Sequence, residues 1–230
     1  MKCIARYSFC KIFDYAIRHG MHSHDIFERL PVVSSIILGK EGWHDVKDWV
    51  ALACLVSKGT STTVENLGYA VSKHSRYDGI ALSFVKVLPL YALTKLLLPH
   101  VKDSVNRNVS ISLRNYSAKK KRVTIEVTPD TKEAHTQEIC DYNRGTSRAL
   151  MEVKGYKNVS LRETQCCFKG ASSCIYELSW TGRKKISFMK YAKKLGLSAF
   201  REDVVRSAVA TKGVSLSAKD IDSLFQEDDN

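Results

Sequence analysis

The chain has 230 residues, 44% hydrophobic and 26% charged, and a formal net charge of +12 from 36 Lys and Arg against 24 Asp and Glu. This length and balance support a buried core, and they exclude wholesale disorder and a disulfide-stapled miniprotein. Seven cysteines, an odd number, cannot all pair within one chain, so a reducing, cytoplasmic setting is expected, and the positive surplus points to an anionic partner.

The first 38 residues interrupt their apolar positions with Arg6, Lys11, Asp14 and Arg18, which argues against a secretory leader. Ile12, Phe13, Ala16 and Ile17 share one helical face, so short helices are expected there. Residues 42–59, GWHDVKDWVALACLVSKG, place Val46, Trp49, Val50, Ala53 and Val56 at three- and four-residue steps, with Gly59 where a C-cap glycine belongs. A second helix follows through Val64, Leu67 and Val71, opened by a Thr62–Glu65 pair in capping-box spacing. Phe84 to Leu98 is apolar almost all round, but Lys86, Pro89 and Lys95 break it. It is too short to span a bilayer and reads as a buried helix, so no transmembrane segment is expected.

The period then changes from helical to two. Residues 108–117 and 121–129 alternate as half-buried strands around a polar turn that includes the KKKR run at 119–122. Ile139, Tyr142, Leu150 and Val153 restore a helical pattern over 135–156, and residues 159–166 and 173–180 form a second hairpin around FKGAS. Helices followed by strand pair, helix and strand pair predict an α+β fold, helices packed on a four-stranded antiparallel sheet. Beyond Trp180 the chain turns basic: GRKKISFMKYAKK at 182–194 carries no acidic residue, and the chain closes on EDDN. The expected organisation is a domain over 1–182 and a basic helical appendage over 183–230.

Three of the seven cysteines fall within RETQCCFKGASSCIYELSW at 162–180. Glu163, Cys166 and Cys174 follow Glu-x2-Cys-x7-Cys, and Cys140 lies upstream on the predicted helix. A structural zinc takes four tetrahedral ligands, commonly from a hairpin and a neighbouring element. The spacing lacks the paired Cys-x2-Cys of a zinc ribbon, so by itself it favours cysteines acting as small buried apolar side chains, the common fate of free cysteine. In a continuous strand Cys167 would face away from Cys166, outside any shared site.

The segment from Cys140 to Trp180 resembles the 4-vinyl reductase domain family: a Cys, a Gly-containing helix, Glu-x2-Cys, a Gly turn and Cys, here with Gly145 and Gly170. The closing Cys174, Tyr176, Glu177 and Trp180 are similar to the Cys-x-Tyr-Glu-x-x-Trp ending of related domains that head bacterial sensor kinases and cyclases. The resemblance implies a haem-NO-binding/TRAPP-like fold and a structural zinc on Cys140, Glu163, Cys166 and Cys174. It also implies a sensory role for a small hydrophobic ligand and a homodimer; enzymatic activity is not expected, because no catalytic motif supports it. The sequence departs from the family at Ala171 and Ser172, where an aspartate is usual. The Tyr-x-Ser-x-Arg haem-propionate motif of the nitric-oxide sensors is absent, and none of the seven histidines stands out as a haem ligand.

No phosphate loop, nucleophile elbow or His-Glu-x-x-His motif occurs. The alternative reading is a basic regulator that binds nucleic acid through Lys184, Lys185, Lys193 and Lys194, or an acidic protein partner through the same segment.

Overall fold

The computed structural model describes residues 2–40, 42–74, 90, 94, 102, 105–131 and 135–183. The helix expected over 84–98 lies outside the described residues except at Leu90 and Thr94. So do His100 and the segment 184–230, with Lys184, Lys185, Lys193 and Lys194.

The chain runs β1 (Lys2–Ala5), α1 (Arg6–Arg18), α2 (Ser23–Arg29), α3 (Pro31–Leu38), β2 (Trp43–Asp45), α4 (Val46–Gly59) and α5 (Val64–His74). It continues with β3 (Val109–Ser117), β4 (Arg122–Pro129), α6 (Gln137–Val153), β5 (Tyr156–Lys157), β6 (Ser160–Gln165), a 3-10 turn (Cys167–Lys169), β7 (Cys174–Ser179) and β8 (Gly182–Arg183). The central sheet has four strands in the order β3-β4-β7-β6, every neighbouring pair antiparallel. This is the α+β architecture that the changing period predicts. No helix among the described residues is long and apolar enough to cross a membrane.

The N-terminal half differs from expectation in three local details. Trp43–Asp45 is a short strand paired with Lys2–Ala5, not the start of a helix. Asp45 ends it and caps α4 by accepting the Lys47 N–H at 2.9 Å, as an Asp at N-cap does. Gly59 is the last helical residue, with Thr60 at the C-cap; a Cβ there would sit 2.7 Å from the Met21 methyl, so this glycine makes room. Thr63, not Thr62, caps α5, its Oγ1 accepting the Asn66 N–H at 3.1 Å.

Two apolar clusters form the core. One gathers Phe9, Ile12, Ile26, Val33, Trp49, Leu52, Val56, Leu67 and Val71 from the N-terminal helices. The other gathers Val109, Val123, Val127, Cys140, Met151, Tyr176, Leu178 and Trp180 between the sheet and α6. Helices α5 and α6 join them at a glycine contact. A Cβ on Gly145 would fall 1.8 Å from the Glu65 carbonyl oxygen, and one on Gly68 would fall 2.4 Å from that of Tyr142. Only hydrogen fits at either point, so the two backbones touch. Beside this crossing, Lys73 pairs with Glu152 at 2.7 Å, and the Tyr69 hydroxyl bonds to the same carboxylate.

Candidate metal centre

The register of β6 and β7 decides which side chains meet. Cys174, Tyr176 and Leu178 alternate inward along β7, each fully buried. Glu163 stands opposite Tyr176 across the ladder and so shares its face. Glu163 and Cys166 are three residues apart, an odd step that would put them on opposite faces of a regular strand. A bulge between Glu163 and Gln165 restores the parity: Gln165 pairs with Ile175, and the extended backbone continues through Cys166 at φ −140° and ψ 131°. Cys166 is thereby turned inward beside Cys174, with the two sulfurs 4.0 Å apart.

The chain then leaves the strand. Lys169 N–H donates to the Cys166 carbonyl at 2.9 Å, and Gly170 closes the turn at φ 91°, in the left-handed region, which glycine enters without a Cβ penalty. This turn overturns the strand-based expectation that Cys167 points away. Its Sγ lies 3.4 Å from that of Cys174, and its backbone N–H donates to the same sulfur at 3.5 Å. Alternation fails because the residue begins a 3-10 turn.

Helix α6 brings the fourth side. Thr136 is its N-cap and Cys140 lies in its first turn, Sγ 3.6 Å from Cys174 Sγ. The donor atoms of Cys140, Glu163, Cys166 and Cys174 all lie within 4.8 Å of one another, so the four side chains singled out in the sequence are brought to one point. His135, which nothing in the sequence distinguished from the other histidines, joins the cluster. Its Nε2 is 3.1 Å from Cys140 Sγ, and its side chain is 2% exposed.

Electrostatics fits a cluster of thiols around one thiolate. Hydrogen bonds from Cys140, His135 and Cys167 hold the Cys174 pKa down to about 3 against the cost of burial. The Cys140 proton is correspondingly retained, through its bond to Cys174 and through burial. Burial also raises Cys166, and raises Cys167 to about 11. Glu163 is pushed up by burial and drawn back by Arg144, whose Nη1 reaches Glu163 Oε2 at 3.3 Å. Glu163 Oε1 is buried with no hydrogen-bond partner among the described residues. Arg144 also holds Glu65 of α5 at 3.0 Å and Asp141 at 2.6 Å, tying the cluster to the helix crossing. Four sulfurs, a buried carboxylate oxygen without a donor and a nearby imidazole form a donor set suited to a thiophilic divalent ion.

No family model and no curated protein matches the chain. Solved structures of H-NOX proteins do. The Fe(II) unliganded H-NOX protein from K. algicida is 11% identical, with a TM-score of 0.55 over 81% of this chain and 100% of that one. The H-NOX domain from Shewanella oneidensis in the Fe(II)CO state is 11% identical, with a TM-score of 0.54 over 79% and 99%. Haem is the group such a fold implies. His22, His24 and His74 are exposed, His19 Nδ1 lies 2.8 Å from the Tyr15 carbonyl, His44 packs edge-on against Phe9, and His135 belongs to the thiol cluster. The likeness is one of architecture, and it gives this chain an H-NOX-like fold.

Proposed function

We propose that the chain is a regulatory sensory module, related to the 4-vinyl reductase domains, in which a structural zinc on Cys140, Glu163, Cys166 and Cys174 fixes the second hairpin to α6. The observation that carries this reading is the convergence of those four buried or half-buried donors within 4.8 Å. Four protein ligands would leave the ion no open position for water or substrate, so its role is structural. The H-NOX proteins of similar fold are described in Fe(II) and Fe(II)CO states, and a small ligand acting on helix packing is the corresponding role here. Arg144 would carry the coupling, because it grips the ligand Glu163 and the α5 residue Glu65 with one guanidinium. The signal would pass to a second copy or to a partner of the basic segment over 183–230, in a protein of the cytoplasm.

Native mass spectrometry with metal analysis of the purified chain tests the whole reading. At least one zinc per chain, a dimer and a co-purifying small apolar molecule are expected. Less than about a tenth of an equivalent of zinc overturns the structural-site assignment.

A further inference from the structure

Six donors, not four, crowd this corner, and they divide into two quartets. One is Cys140, Glu163, Cys166 and Cys174; the other is His135, Cys140, Cys167 and Cys174, again with every donor atom within 4.8 Å of the others. The quartets share only Cys140 and Cys174. We propose that the cluster is a binuclear site for two thiophilic divalent cations, with Cys140 and Cys174 as bridging thiolates. Glu163 and Cys166 complete one position, and His135 and Cys167 complete the other. This rests on the mononuclear reading above and adds a second ion to it.

Three observations carry the second position. The first is the shared edge: the bridging sulfurs are 3.6 Å apart, and a tetrahedral ion with metal–sulfur bonds of about 2.3 Å wants an edge of about 3.8 Å. One edge therefore serves two tetrahedra, and Cys167 stands 3.4 Å from the bridging Cys174 while His135 Nε2 stands 3.1 Å from the bridging Cys140. The second is His135. Its ring is buried, Nε2 faces the thiols, and Nδ1 has no hydrogen-bond partner among the described residues. The third is charge. Three thiolates and a carboxylate around one divalent ion leave about two negative charges in excess in a buried corner, where the Arg144 charge is already shared with Glu65 and Asp141. A second divalent ion, arriving with the Cys167 thiolate and a neutral imidazole, offsets one of them. Each thiol that binds releases its proton to solvent.

The test is titration of reduced, metal-free full-length chain with Zn(II), read by native mass spectrometry, and with Co(II), read by electron paramagnetic resonance. Two zinc ions per chain are expected, falling to one in His135→Ala and in Cys167→Ser, neither of which removes Glu163 or Cys166. Thiolate bridging should couple two high-spin cobalt ions, so the signal per cobalt should fall as the second equivalent enters. A wild-type stoichiometry of one, unchanged by both substitutions, overturns the second position and leaves the structural site standing. No bound metal overturns both. Two ions that are insensitive to both substitutions, or uncoupled by resonance, place the second ion elsewhere and overturn the bridge.

Discussion

At the scale of single residues, most of the chemistry sits on Cys174. It stands at the middle of the cluster because β7 is an interior strand, flanked by β4 and β6, and because Val127 lies opposite it across the ladder. Replacing Cys140 or Cys174 by Ser, the two sulfurs common to both quartets, should abolish stoichiometric zinc and lower stability by about 3 kcal/mol. Metal analysis and thermal unfolding check this, and addition of a chelator should then lower the melting temperature of the wild type but not of the variants. The neighbouring Ser173 donates to Glu126 at 2.7 Å, and Arg114 holds the same carboxylate through two nitrogens at 2.6 and 2.8 Å. Arg114 above all, then Ser173, keeps the Glu126 pKa down to about 2. A carboxyl depressed on folding stabilises the protein above its ordinary pKa and loses that contribution as the pH falls through the folded value. Arg114→Ala should therefore melt about 2 °C below the wild type at pH 7, and the gap should close as the pH drops from 5 towards 2. A gap independent of pH would show that the pair contributes nothing through charge. The same scale shows what the cysteine pattern could reveal. Cys140, Glu163, Cys166 and Cys174 were singled out through their match to the family the segment resembles, because spacing alone favours cysteines acting as buried apolar side chains. His135 was not, because a histidine one residue before an N-cap has no periodicity to mark it.

At the scale of elements, the α5 and α6 crossing is the joint between the two core clusters. Gly145 occupies a point where a Cβ would lie 1.8 Å from a backbone oxygen, whereas Gly170 has nothing within 4 Å of its hypothetical Cβ. Gly145→Ala must push two helices apart and should cost about 3 kcal/mol. Gly170→Ala meets only the left-handed backbone conformation and should cost about 1 kcal/mol. Urea denaturation of the two variants compares them, and equal midpoints would refute the close crossing. The hairpin formed by β6 and β7 is the other element that matters here. Its existence followed from alternation on either side of FKGAS. Its bulge did not, because a bulge is fixed by pairing with a neighbouring strand and leaves no period in the sequence. Cys167 was misplaced for the same reason: alternation was extended across a residue that had already begun a turn.

At the scale of the whole molecule, the candidate metal corner belongs to the cluster between sheet and α6, and the N-terminal helices form their own apolar cluster. Removing metal should therefore loosen the molecule unevenly. Hydrogen exchange on the chelated chain should accelerate in β6, β7 and the first turn of α6, while α1 and α4 keep their protection. Uniform acceleration would mean that the two clusters open as one unit. Arg144 is the side chain that can pass the change onward, since it alone spans Glu163, Asp141 and Glu65 among the ion pairs of the described residues. Arg144→Ala should leave zinc bound while raising exchange in α5, a separation that loss of the metal itself would not produce.

The sequence by itself determined the α+β class, the two hairpins and the intervening helix, because a change of hydrophobic period from helical to two is written locally. It also marked four side chains of the candidate metal centre, through the family that the segment resembles. Only the tertiary structure decided that Glu163 and Cys166 share a face, that Cys167 turns back onto Cys174 and that His135 reaches Cys140. Each of these depends on a bulge, a left-handed turn or a helix entry, set by contacts between segments distant in the chain, and spacing carries no record of such contacts.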